Sequence, residues 1–196
     1  ADALLAMVLY SHFRSEHLLV HHIHVGTPKD PVTAKYNENF YKFFMRVLIQ
    51  CPISSFNSET MKLGRKGLPP SDFTNPFYIY FASQFFMIAL SFLIGGFFGL
   101  FLFFIQALVA ILLLELVNYI EHYGLSRKIL KNGKYEYVQP HHSWNSTYKV
   151  SNWVLINLQR HSDHHFKPTR SFPLLQNLGA TKAPQLPHSY PCLLYT

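Results

Sequence analysis

Seven histidines fall in three groups along this 196-residue chain, and imidazole is a common ligand for iron, zinc, copper and nickel. The first group is Glu16-His17-Leu18-Leu19-Val20-His21-His22, the second Glu121-His122, and the third His161-Ser162-Asp163-His164-His165. A lone histidine is ordinarily a packed or surface residue. Repetition changes that reading: twice a His pair has another His three or four residues before it, a spacing that shares one face of a helix. Each such helix presents three nitrogens to one point, which is a metal-site signature.

Acidic residues stand where they would orient those rings. Glu16, Glu121 and Asp163 lie beside or between the histidines and are candidates to accept the second ring N–H of a ligand. Solvated surface charge is the alternative for Glu16 and Glu121. Glu115, Asn118 and His122 share a helical face, and Glu115 lies inside an apolar stretch where an unpaired carboxylate is costly. Glu115 is therefore expected to orient a ligand histidine, and to matter more than Glu59, which is assigned to a polar loop.

The elements that carry these groups are set by hydropathy. From Phe77 to Ile120 the chain is almost wholly apolar over 44 residues, with Glu115 its sole charge. A span needs about 20 apolar residues, so this is two crossings long. Gly95-Gly96 and Gly99 fall near the middle, which predicts a transmembrane hairpin of residues 77–94 and 97–120. Of the 17 Lys and Arg, eight precede Pro76, nine follow Ile120 and none lies in the turn. Both flanks, and with them all three His groups, are then cytoplasmic by the positive-inside rule.

Around the hairpin, residues 1–24 read as one helix, apolar enough upstream to be the end of a membrane helix. Gly26, Pro28 and Pro31 break it. Residues 39–49 read as an interfacial amphipathic helix, 54–76 as a polar loop, and Lys131-Asn132-Gly133-Lys134 as the turn of a short hairpin. Residues 152–165 read as a helix carrying the last His group, and five prolines from Pro168 to Pro191 make the tail irregular. The fold class expected is an all-α, multi-pass integral membrane protein with a cytoplasmic histidine-rich site, in one domain over residues 1–196. Net charge is +7, but no basic stripe interleaved with aromatics marks a nucleic-acid partner. Cys51 and Cys192 form neither a metal spacing nor a disulfide framework.

At Asn118-Tyr119-Ile120-Glu121-His122-Tyr123-Gly124-Leu125 and Leu158-Gln159-Arg160-His161-Ser162-Asp163-His164-His165 the chain resembles the integral-membrane, non-haem di-iron alkane 1-monooxygenases. Glu16 to His22 resembles that family's E-H-x-x-x-H-H box. The Thr27-Pro28-Lys29-Asp30-Pro31 stretch, His142-Ser143-Trp144-Asn145 and Leu186-Pro187-His188-Ser189-Tyr190-Pro191 resemble further segments, with Ser189 where the family has Gly. The resemblance implies His17, His21, His22, His122, His161, His164 and His165 as ligands of two irons. It implies dioxygen as co-substrate, terminal hydroxylation of a linear alkane taken from membrane lipid, and rubredoxin as electron donor. Membrane fatty-acid desaturases and hydroxylases share the His-box class and are the alternative. A zinc-dependent membrane hydrolase needs only three protein ligands. A non-enzymatic membrane protein would not need this spacing. The family's first H-E-x-x-x-H-K box has no counterpart here, since His12 is isolated, so the expectation is a fragment, inactive alone.

Overall fold

In the computed structural model, which describes residues 2–190, the chain forms two compact units. One comprises the residues up to Ile23 together with Phe44–Leu116, and the other His24–Phe43 together with the residues from Val117 onward. The elements are helices; among the described residues the only ladder contacts are the isolated bridges Ile129 to Tyr135 and Asn145 to Gln185. Cys192 and Pro191 lie outside the described residues.

The first unit begins with α1 (Asp2–Met7). The single helix expected over residues 1–24 is broken, because Leu9 takes a left-handed φ of 55° and Tyr10 N–H closes back on Leu5 O at 2.9 Å. The chain resumes in α2 (Phe13–Glu16), runs through a π-helical turn (His17–His21), and ends in α3 (His22–His24).

Helix α4 (Phe40–Gly64) starts where the Asn39 side chain accepts from Lys42 N–H at 3.0 Å. It continues past Ile49, where the sequence reading ends its helix, to Gly64. Residues 54–64 are therefore helical, not loop. Pro52 cannot donate to the Leu48 carbonyl, but packing offsets that loss: Phe43, Val47, Cys51 and Leu63 are buried, and Phe56 meets Phe77 edge-on.

Helix α5 (Phe77–His122) begins after Asn75, whose side chain accepts from Phe77 N–H, and Pro76. Its direction changes at Gly96, where φ 57° and ψ −148° form a backbone reserved to glycine. Eight residues of straight helix span about 12 Å. A Cβ on Gly99 would stand 2.7 Å from the Ser91 carbonyl, so the chain doubles back there. Phe92 and Phe97 meet edge-on across the bend, with ring centroids 5.2 Å apart. Along both arms the large apolar side chains point outward, among them Phe81, Phe85, Leu93, Phe97, Phe98 and Phe101. By length and composition α5 can cross a membrane.

The second unit holds the end of α5 against the first turn of α4 and the segment before it. Phe40 and Phe43 pack edge-on against Tyr119, the Tyr119 hydroxyl donates to Glu38 O, and Gly124 N–H donates to Ala34 O. Residues 129–135 form the expected tight turn, with Gly133 at φ 75°. Helices α6 (Lys149–Val154) and α7 (His161–Phe166) replace the one helix expected over 152–165. Between them Ile156 and Asn157 are left-handed, and Asn157 N–H returns to Asn152 O at 2.7 Å.

Candidate metal centre

In the first unit the π turn decides how the histidines face. His22 N–H donates to His17 O, a five-residue step, which brings these two side chains together where an α-helix would turn His22 aside. Their Nε2 atoms lie 3.1 Å apart, and the His21 ring stacks on His17 at 5.1 Å. His17 is backed by Phe13. Glu16 and His21 are fully buried. Residue 59 is not in a loop: Glu59 is buried and accepts from Ser15 Oγ at 2.6 Å, and Ser15 also meets the Tyr80 hydroxyl at 2.9 Å. This network steadies the helix immediately before the first His group.

In the second unit His122 ends α5 and His161, His164 and His165 lie on α7, all four of them buried. His161 Nε2 is 3.1 Å from His122 Nε2 and 2.9 Å from His165 Nε2. The ligand atoms of these three rings lie within 4.8 Å of one another. One proton cannot satisfy three converging imidazole nitrogens. A metal does so naturally, because two neighbouring ligands with bonds of about 2.1 Å at right angles stand about 3.0 Å apart. The residues therefore fit a metal ion held by neutral imidazoles. His164 stacks on Phe172 at 5.0 Å.

The four acidic candidates have different surroundings. Glu121 is buried, with Oε2 3.2 Å from His161 Nδ1. Asp163, a candidate partner for a histidine, accepts on Oδ2 from the Arg170 guanidinium and from Gln176 N–H at 2.8 Å, because α7 turns that oxygen toward the segment that follows. Glu115 accepts from Tyr10 Oη at 2.7 Å. Glu16 is sealed from solvent.

What the motif reading did not supply is the clamp made by residues 142–145. Asn145 Oδ1 accepts from Ser162 N–H at 2.9 Å, and the Ser162 hydroxyl donates to Ser143 O at 2.7 Å. Trp144 donates its backbone N–H to Glu121 O and its indole N–H to Tyr123 O. The segment thus grips the first turn of α7 and the end of α5 together. The only sequence signal was its resemblance to a family segment.

Glu136, His141 and His142 also gather ligand atoms within 4.8 Å. His142 Nδ1 accepts from Gln139 N–H at 2.9 Å, so neutral His142 carries its proton on Nε2, 3.1 Å from Glu136 Oε1. That proton occupies the position a metal would need. Burial, followed by the neighbouring His141, pushes the His142 pKa down despite Glu136, and the imidazole is a neutral tether.

Residues 1–194 match the fatty acid desaturase family. The chain is 40% identical over 188 residues to alkane 1-monooxygenase 2 of Pseudomonas aeruginosa, an alignment covering 95% of this chain and 49% of that protein. It is 41% identical over 194 residues to an alkane 1-monooxygenase of Pseudomonas putida, covering 97% and 47%. The hydroxylase component of a Pseudomonas putida xylene/toluene monooxygenase is 28% identical over 179 residues, covering 91% and 46%. The chain spans about half the length of these curated relatives.

Proposed function

This chain belongs to the fatty acid desaturase family, and on that premise we propose that the protein hydroxylates the terminal carbon of linear alkanes at a histidine-held di-iron centre. The observation that carries the reading is the convergence of the His122, His161 and His165 Nε2 atoms at 2.9 and 3.1 Å. Similarity to alkane 1-monooxygenases supports the substrate class. The proposed ligands are His17, His21, His22, His122, His161, His164 and His165. An all-imidazole set does not select its metal by ligand type, so iron follows from the similarity.

When bound, the irons supply the oxidising power: one oxygen atom of dioxygen goes to the substrate carbon and the other leaves as water, with two electrons from rubredoxin and two protons. The chain supplies position and dryness. Glu121 lies against His161 Nδ1 and favours the proton there, leaving Nε2 to bind. Burial of His122, His161, His164 and His165 excludes water from the reacting region. The outward apolar arms of α5 suit a multi-pass protein embedded where a hydrocarbon substrate dissolves, with the site on the cytoplasmic side. A net charge of +7 suits an acidic electron donor.

The test is purification of the intact protein from membranes, metal analysis, and product analysis with octane, dioxygen and reduced rubredoxin. The expected result is iron and 1-octanol. An alkene product from a fatty acyl substrate, with no alcohol from octane, transfers the reading to a desaturase. Zinc in place of iron removes the oxygenase reading altogether.

A further inference from the structure

Tyr190 is buried, at 3% exposure, and its hydroxyl donates to Glu121 Oε1 at 2.7 Å. The other oxygen of the same carboxylate, Oε2, is 3.2 Å from His161 Nδ1, close to the ring N–H though not in line with it. His161 in turn holds Nε2 toward both His122 and His165. Tyrosine, carboxylate and imidazole thus form one chain ending at the proposed metal ligands.

We infer that Tyr190 is a positioning residue, whose hydroxyl pins Glu121 so that the carboxylate holds the proton on His161 Nδ1 and leaves His161 Nε2 free for iron. The inference rests on the proposed di-iron reading. A buried carboxylate with one oxygen unanchored is free to rotate about its terminal torsion, which is broad. A donor on Oε1 removes that freedom and fixes where Oε2 stands. The phenol stays a donor at physiological pH, since burial raises its pKa above the ordinary tyrosine value.

The tyrosine is itself held by the fold. Leu186 N–H donates to Asn145 O at 2.7 Å and the Tyr148 hydroxyl donates to Pro187 O at 2.6 Å, so the segment leading to Tyr190 is tied to Asn145 of the clamp and to Tyr148 just beyond it. An apolar side chain would fill the same space. Only the hydroxyl addresses Glu121.

The test compares Tyr190→Phe, Glu121→Gln and the double variant in the intact, iron-loaded protein, reading iron retained under chelator challenge and the Mössbauer spectrum of the iron-57 form. Changes to residues supporting a metal ligand cost about 10- to 100-fold in affinity. Iron loss is expected to speed up about 10-fold or more in Glu121→Gln and a few-fold in Tyr190→Phe, with shifted quadrupole splitting in both. The double variant is expected to match Glu121→Gln, since the hydroxyl acts only through that carboxylate. Wild-type retention and spectrum in Tyr190→Phe overturn the inference while leaving the di-iron reading intact. Independent, multiplying losses in the double variant overturn it too, because the hydroxyl would then act by a route other than Glu121. A wild-type protein that binds no iron overturns both.

Discussion

Tyr10 donates its hydroxyl to Glu115 Oε1 at 2.7 Å, joining residues 105 apart in sequence. Both side chains are buried, and Glu115 lies on the apolar α5 helix. A carboxylate in that setting needs a donor, and the break at Leu9 is what lets the chain bring one.

Removing the donor should therefore cost more than a neutral hydrogen bond. Tyr10→Phe is expected to destabilise the protein by about 1–3 kcal/mol, read as a lowered melting temperature in nanodiscs. Glu59→Ala, a natural surface control from sequence alone, should also destabilise, because Glu59 is buried against Ser15 and Lys62. An unchanged melting temperature in Tyr10→Phe would show that another group suffices for Glu115.

The bend in α5 gives a paired prediction. Gly99→Ala places a methyl group 2.7 Å from the Ser91 carbonyl, which is backbone and cannot swing away. A loss of about 1–3 kcal/mol is expected, as for other overpacked contacts. Gly95→Ala meets nothing within 4 Å and should be neutral or slightly stabilising. Equal melting temperatures for the two variants would contradict the close approach.

The clamp on α7 is tested at Asn145. Asn145→Ala leaves Ser162 N–H, buried at the first turn of the helix, without its acceptor. The expected cost is about 1–2 kcal/mol, together with faster iron loss, as α7 carries His161, His164 and His165. Asn145→Asp keeps an acceptor and should restore much of both. Wild-type iron retention in Asn145→Ala would reduce the clamp to a stability device.

Spacing made the histidines legible, because three-and-four periodicity needs no tertiary knowledge. The π turn was not legible: His17 and His22 meet through one backbone hydrogen bond that no residue type announces. Similarly, the polarity of residues 54–76 reads as a loop, and the burial of Phe43, Val47 and Glu59 overrides that local preference up to Gly64. The breaks at Leu9 and at Ile156 and Asn157 use left-handed residues other than glycine, so the ordinary punctuation was missing. The partners of Asp163 Oδ2, Arg170 and Gln176 N–H, are not legible either, because adjacency in sequence announces only the neighbouring histidine.

Acid should loosen the first unit through His12. Burial lowers the His12 pKa from 6.5 to about 4, so the folded chain keeps this ring neutral where the unfolded chain protonates it. The sign follows from linkage: the stability tied to the neutral ring is full above pH 6.5, falls as pH drops from 6.5 toward 4, and is gone below 4. In His12→Asn that contribution is absent at every pH. Thermal melting of the metal-free protein at pH 7 and pH 5 should therefore show a smaller drop in the variant, by up to a few kcal/mol. Using metal-free protein removes ligand protonation from the comparison, and the difference between variant and wild type cancels the other histidines. Parallel pH profiles for the two proteins would mean that His12 is solvated or charged in the fold.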